Sequence, residues 1–268
     1  MILIDGISTD YVPADDRSYQ YGDGCFSTLL TLNGQVQYWE YHRQRLESCL
    51  KALHIPCPDW NQLHDWMCRV IRSDAKAGIK IHISRGSGGR GYGPPEETTP
   101  RVMISDFTYP DYYNDLIANG ITLGVCEQRL GLTPLLAGHK HNNRLEQILL
   151  KKEVSQLGYI DGVVLDIHHH VIETTMANLF WITNGQIFTP ALDQAGVAGV
   201  IRRVVSTLAQ EEGWSVSEGH YSLEKLLSAD EVFITNSVLG VAPVTRIRAS
   251  EYHIGVITRE IQKRVNVC

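Results

Sequence analysis

A primary amine on partly buried backbone can act as a nucleophile or a base, because desolvation disfavours its charged form. The chain has eight lysines, and most of them, Lys51 and Lys263 among them, fall where a solvated helix face is expected. Lys140 differs. It follows the apolar, glycine-containing run Leu132–His139 and precedes His141-Asn-Asn-Arg-Leu-Glu146 at the start of an expected helix. On position alone it also reads as a structural lysine with its stem along apolar surface and its head in water. A second feature is Gln194-Ala-Gly-Val-Ala-Gly-Val-Ile-Arg202, which passes from a loop into an apolar-periodic helix. Glycines there let backbone N–H groups close on an anion at the positive helix end, although glycine before a helix is also ordinary. Ser237 offers a hydroxyl at the end of an expected strand. Arg45, in the first turn of a helix, is able to make a charge-assisted contact to phosphate, and reads equally well as a surface arginine.

These residues need a scaffold. Asn33-Gly34 and Asn184-Gly185 each lie between β-type runs, and Asp5-Gly6 makes a third such pair. Such pairs predict two-residue hairpins, because a type I′ turn needs positive φ at both central residues. Leu46, Leu50 and Leu53 recur at helical spacing, and a second helix is expected from Trp60 to Lys76. Ile79–Ser84 and Val102–Phe107 read as strands flanking the Gly-rich stretch Arg85–Pro95. Residues 1–110 therefore form an α+β unit. After a connection through Pro110, strands are expected at Ile121–Val125, Gly162–Ile167, Val171–Thr175 and Val232–Thr235, and helices at Leu145–Leu157 and Gly199–Glu212. Residues 120–268 form a second domain of mixed strands and helices. His168-His-His170 falls in a turn, where three consecutive side chains do not easily converge on one ion, so no metal is expected.

A net charge of −6 argues against a nucleic-acid partner, which needs a basic surface. Asp5 interrupts any signal-peptide core, and no run of about 18 apolar residues predicts a membrane span. The six cysteines form no Cys-x-x-Cys pair, which predicts reduced thiols in a cytoplasmic protein.

Lys140-His-Asn-Asn-Arg144, Glu173-Thr-Thr-Met-Ala-Asn178-Leu-Phe180, and Thr189-Pro followed by Gly199-Val-Ile-Arg202 occur in order, and His42-x-x-Arg45-Leu46 precedes them. This set resembles the fold type IV pyridoxal 5′-phosphate (PLP) enzymes, a superfamily of branched-chain and D-amino-acid aminotransferases and aminodeoxychorismate lyases. The resemblance covers almost the whole chain. Within it, Asp15–Phe26, Ser84–Tyr92 and Lys140–Gln147 most resemble the lyases, which make 4-aminobenzoate for folate synthesis. Arg144 stands where branched-chain relatives carry a Tyr that contacts the phenolic oxygen of the cofactor.

The resemblance implies a two-domain, mixed α/β fold of the D-amino-acid aminotransferase type, with PLP in the cleft between the domains and a homodimer as the assembly. It implies that Lys140 carries the cofactor as a Schiff base and serves as general base. Glu173 would pair with the pyridine nitrogen, and Arg45, the N–H groups of Val200 and Ile201, and Ser237 would hold the phosphate. A substrate with two carboxylates calls for cationic anchors, for which Arg85, Arg90 and Tyr92 are the candidates. The reaction expected is conversion of 4-amino-4-deoxychorismate to 4-aminobenzoate and pyruvate. The alternatives are a D-amino-acid or branched-chain aminotransferase, and a PLP-carrying relative without turnover, against which the intact Lys140 and Glu173 count.

Overall fold

The computed structural model describes residues 1–266, so Cys268 lies outside the described residues. The chain forms two compact units. The first contains Met1–Tyr109 and His139–Arg144. The second contains Pro110–Gly138 and the chain from Leu145 onward. The segment carrying Lys140 therefore belongs to the first unit, although it falls within the 120–268 span expected for the second domain.

In the first unit the strands are β1 (Ile2–Ile4), β2 (Ile7–Ser8), β3 (Gly24–Leu32), β4 (Gln35–Val36), β5 (Lys76–Ser84) and β6 (Arg101–Thr108). They form one antiparallel sheet in the order β2-β1-β6-β5-β3-β4. Helices α1 (Arg17–Tyr21), α2 (Trp39–Ala52) and α3 (Trp60–Val70) complete the unit. Successive strand side chains point to opposite faces. Leu29, Ile79, Ile81 and Ile83 are therefore buried in one core with Leu46 and Leu50 of α2 and Leu63 of α3. The alternate residues Phe26, Thr28, Lys80 and His82 are only half-buried. Asn33 and Gly34 have φ of 48° and 76°, Asp5 and Gly6 50° and 77°, as two-residue hairpins require.

The helix expected from Trp60 to Lys76 stops at Val70. Asp59 caps its start, accepting from the N–H groups of Asn61 and Gln62 at 2.9 and 3.1 Å. Residues 76–84 instead pair along their whole length with β3 and β6. The alternation of Ala77, Ile79, Ile81 and Ile83 has period two, and the ladder holds that backbone extended.

The second unit comprises α4 (Tyr112–Asn119), β7 (Ile121–Leu130), α5 (Leu145–Gln156), β8 (Asp161–Asp166), β9 (Val171–Thr174), β10 (Asn178–Thr183), β11 (Gln186–Pro190), α6 (Val200–Glu211), β12 (Val216–Gly219), α7 (Leu223–Leu227), β13 (Glu231–Asn236), β14 (Gly240–Ile247), β15 (Ser250–Glu251) and α8 (Val256–Val265). Its sheet runs β12-β11-β10-β13-β14-β7-β8-β9, with β15 beside β14. β14, β7 and β8 are mutually parallel, as are β11 and β12, and the other pairs are antiparallel. Parallel neighbours need a crossover, which α5 and α6 supply. β9 ends the sheet path, yet only residues 175–177 separate it from β10, and the N–H of Thr174 donates to the carbonyl of Ala177 at 2.8 Å. The sheet therefore curls back on itself. Every residue of β8 and β9 is buried, including Glu173. The histidine run occupies the β8–β9 turn, with His169 at φ 64°.

Candidate active site

The backbone around Lys140 is tied to β3 of the first unit. Phe26 N–H donates to the Lys140 carbonyl at 3.0 Å, and Asn142 N–H to that of Gly24 at 3.0 Å. Cys25 and His141 form an isolated bridge. The rest of the motif holds this attachment in place. Asn142 Nδ2 donates to Ser18 Oγ at 2.8 Å, and Asn143 Nδ2 to the Gly22 carbonyl at 3.1 Å. Arg144 donates from Nε to the His141 carbonyl and from Nη2 to the His139 carbonyl, at 2.8 and 3.1 Å. A side chain on Gly24 would run into the Ile83 carbonyl at 2.2 Å and Asn142 at 2.6 Å, so the close approach requires glycine. The lysine is thus carried on a short, pinned extension of the sheet, with Nζ 4.6 Å from the centre of the Phe26 ring.

Beneath Phe26 lies a buried polar chain. Arg45 Nη2 donates to Ser27 Oγ at 2.6 Å, and Ser27 Oγ is 2.7 Å from His42 Nδ1. Burial, reinforced by the charges of Arg45 and Lys140, holds His42 well below its ordinary titration range. It is neutral, so its Nδ1 accepts the serine proton while Arg45 donates to the serine oxygen. Burial also lowers the Arg45 guanidinium to about 10. Its buried Nε has no hydrogen-bond partner among the described residues. A buried charged donor left over in this way is suited to a strong anion.

In the second unit β9 and β10 present Glu173 and Asn178 to the loop before α6. Glu173 is 6% exposed, and its Oε2 accepts the Val197 N–H at 3.0 Å. Asn178 bonds that loop through both ends of its amide: Nδ2 donates to the Val197 carbonyl at 2.7 Å, and Oδ1 accepts the Gly199 N–H at 3.0 Å. A side chain on Gly199 would meet Asn178 Oδ1 at 2.1 Å, and Gly196 has φ 85°. Gly138 N–H donates to the Gly196 carbonyl, and Ala198 N–H to that of Gly138. With the loop fixed, α6 begins at Val200 with no side-chain cap, although Val200 and Ile201 are 3% and 2% exposed. The first N–H groups of a helix have no partner within it, so a buried, uncapped start is a place for an anion. Ser237 follows β13 in a turn that Asn236 builds by accepting the N–H groups of Val238 and Leu239 at 2.9 and 2.8 Å.

The sequence expectation for Arg85 is corrected. It is buried and ion-paired with Asp23, with Nε 2.7 Å from Oδ2, and it donates to the carbonyls of His54 and Leu53 at 2.9 and 2.6 Å. This binds the end of α2 to the β3 side of the sheet and leaves the guanidinium buried with its donors engaged. Burial raises the Asp23 carboxyl, but hydrogen bonds and charge from Arg85 and Arg17 outweigh it and hold the group below the usual range. Arg90 and Tyr92 are exposed on the Gly-rich loop, with the Tyr92 ring 5.6 Å from Tyr21. Arg17 organises that loop by donating to the carbonyls of Gly88, Gly91, Tyr92 and Gly93. Asn178 and His42 stand within the sequence motifs without an assigned role there, and Ser27 lies outside them. A polar residue opening a fully apolar strand, as Asn178 does before Leu179–Ile182, is the local signal that was available.

These two sets of groups, a pinned lysine with an arginine and a buried carboxylate with an uncapped helix, lie on a fold shared with known enzymes. The chain belongs to the class IV amino-transferase family, whose profile matches residues 24–247. It is similar to an aminodeoxychorismate lyase of Vibrio harveyi, with 51% identity over 99% of this chain and 100% of that one. In structure it is similar to 4-amino-4-deoxychorismate lyase from Pseudomonas aeruginosa, with a TM-score of 0.94 and 35% identity over 100% of this chain and 98% of that one. It is also similar to the Escherichia coli branched-chain amino acid aminotransferase, with a TM-score of 0.87 and 26% identity over 98% and 92% of the two chains.

Proposed function

We propose that the chain is a PLP-dependent lyase that converts 4-amino-4-deoxychorismate to 4-aminobenzoate and pyruvate. The observation that carries this reading is the 51% identity, end to end, with the Vibrio harveyi lyase. The residues present fit PLP: the unpartnered buried Nε of Arg45 and the uncapped start of α6 suit a phosphate, and Lys140 supplies the amine. Lys140, Arg45, Glu173, Val200, Ile201 and Ser237 are the residues that would hold it. When bound, PLP supplies an aldehyde that captures a primary amine and a ring that takes up an electron pair.

The protein groups do the rest. Glu173, oriented by the Val197 N–H, is the carboxylate that would favour the protonated form of the ring nitrogen. Lys140 Nζ accepts the proton from C4, the amine-bearing carbon of the substrate. The electron pair left behind forms a ring double bond as the C3–O bond breaks. Enolpyruvate departs with that oxygen, takes up a proton at its methylene carbon and becomes pyruvate, while the ring becomes aromatic. Arg90 and Tyr92 remain loop candidates for a substrate carboxylate. A transaminase would need a 2-oxo acid to complete its cycle, and a lyase needs none. Purified enzyme should therefore form 4-aminobenzoate and pyruvate in equal amounts from aminodeoxychorismate alone. It should transaminate D-alanine or L-leucine with 2-oxoglutarate slowly at most. Fast transamination without aminobenzoate would reject the lyase reading and leave the family assignment standing.

The enzyme acts as a homodimer in this reading. Leu145, Ile148 and Leu149 of α5 are 75%, 61% and 54% exposed at i, i+3 and i+4, an apolar stripe of the kind that subunit contacts cover. Sedimentation should give twice the chain mass, and Ile148→Glu should shift it toward monomer; a wild-type monomer would exclude the dimer. A reducing, cytoplasmic setting accords with the unpaired thiols of Cys25, Cys49, Cys57, Cys68 and Cys126.

A further inference from the structure

Every second residue of β3, Cys25, Ser27, Leu29 and Thr31, is buried. Cys25 and Leu29 belong to the apolar core that β3 shares with Leu46 and Leu50 of α2. Ser27, between them, puts a hydroxyl into that core, which costs stability unless its donor and its acceptor are both used. Both are used, and by one helix. His42 and Arg45 lie three residues apart on α2, where side chains are neighbours. Arg45 Nη2 donates to Ser27 Oγ at 2.6 Å, and Ser27 Oγ is 2.7 Å from His42 Nδ1. Nη2 is also 3.5 Å from that same Nδ1, so the three groups close a triangle. Their roles have one solution. Arg45 has only donors, and His42 is kept neutral by burial and nearby positive charge, so the serine accepts from the first and donates to the second. Arg17, Arg85 and Arg101 are each held by an aspartate. Arg45 is held by neutral groups instead, which fix its place, leave its charge uncompensated and leave its buried Nε without a partner among the described residues.

We infer that Ser27, backed by His42, is a positioning residue that holds the Arg45 guanidinium ready for the phosphate of the cofactor. This rests on the reading of Arg45 as a phosphate contact. An arginine side chain has several rotatable bonds, and a group fixed before binding loses less freedom when its ligand arrives. A neutral holder suits the task, because a carboxylate would compete with the phosphate for the same charge. Consecutive residues of one strand then serve both ends of the cofactor: the Phe26 N–H pins the Lys140 backbone, and the Ser27 hydroxyl pins Arg45.

The test is the dissociation constant of PLP, read by fluorescence titration of the apoprotein in wild type, Ser27→Ala, Arg45→Ala and the double variant. Ser27→Ala should raise it about 3- to 10-fold, the effect of freeing one long side chain. Ser27→Thr keeps the hydroxyl and should recover most of the loss. Ser27→Cys keeps the volume but accepts weakly, so it should behave like Ser27→Ala and takes its place if the alanine variant does not fold. Arg45→Ala should raise the constant further, and adding Ser27→Ala to it should change nothing more, because the serine acts only through the arginine. Leu29→Val, a loss of bulk at the next buried position of β3, should lower the melting temperature of the apoprotein and leave PLP binding unchanged. Wild-type affinity in folded Ser27→Ala or Ser27→Cys, with Arg45→Ala impaired, would overturn the role of Ser27 and leave that of Arg45 standing. An equal effect of Ser27→Ala with and without Arg45 would also overturn it, since the serine would then be a purely structural residue. Wild-type affinity in Arg45→Ala would instead remove Arg45 from the phosphate, and the assignment of Ser27 would fall with it.

Discussion

Lys140→Ala should lower turnover by about ten-thousand-fold or more, because it removes the amine that joins the cofactor and the base at C4 together. The fold should survive. Main-chain bonds and the side chains of neighbouring residues hold this segment: the Lys140 carbonyl still accepts from Phe26, and Asn142, Asn143 and Arg144 keep their partners. The variant should therefore be soluble, with a thermal midpoint near that of the wild type, and added methylamine should restore a small part of the rate. Borohydride supplies a second and sharper measurement. In the wild type it should fix the cofactor to the peptide containing Lys140. Lys80, whose Nζ approaches the Phe26 ring as that of Lys140 does, is the natural competitor for that label. Label on the Lys80 peptide, or wild-type turnover in Lys140→Ala, would overturn the assignment of Lys140.

The hairpins were legible because their signal is local. Asn33-Gly34 and Asn184-Gly185 state their own backbone conformation, and φ of 48°, 76°, 51° and 76° follows. Glu173 was legible only as part of a motif; alone it reads as a solvent-facing strand carboxylate. Its burial depends on β8 and on the loop at Val197, which lies 24 residues further on. The docking of Lys140 on β3 was not legible, since it joins Phe26 to a residue more than a hundred positions away and no periodicity encodes that distance. Arg85 misled for a related reason. In a Gly-rich stretch it looks mobile and available, but Asp23 and the adjacent carbonyls of Leu53 and His54 converge on it from two separate parts of the chain. The end of α3 was misplaced because Arg72–Ala75 is polar and neutral in propensity. The helix leaves helical geometry at Ile71, and the ladder takes up the chain from Lys76 onward.

Glu173→Gln tests the electronic half of the site and is expected to cut kcat about 100- to 1000-fold, corresponding to about 2.7–4 kcal/mol in the barrier. The substitution keeps size and shape. In one amide orientation the side-chain oxygen still accepts the Val197 N–H, so the loop before α6 stays in place, and Asn178 continues to hold Val197 and Gly199. The charge is what is lost. A carboxylate beside a pyridine nitrogen favours its protonated form, by the same rule that moves any titratable group next to an opposite charge. An amide turned to satisfy Val197 presents its NH2 to the ring, and that donor favours the unprotonated nitrogen. Proton removal from C4 by Lys140 would then slow, because the cofactor would supply a weaker electron sink, while binding of the substrate carboxylates is untouched. The pattern expected is a fall in kcat and kcat/KM together at nearly constant KM. The deuterium isotope effect at C4 should grow as that step becomes limiting, and PLP affinity should weaken only modestly because the phosphate contacts remain. The apoprotein should unfold close to the wild-type temperature. Wild-type kcat in Glu173→Gln would remove Glu173 from the ring nitrogen. A variant that loses PLP altogether while its apoprotein stays folded would recast the residue as part of the cofactor's grip.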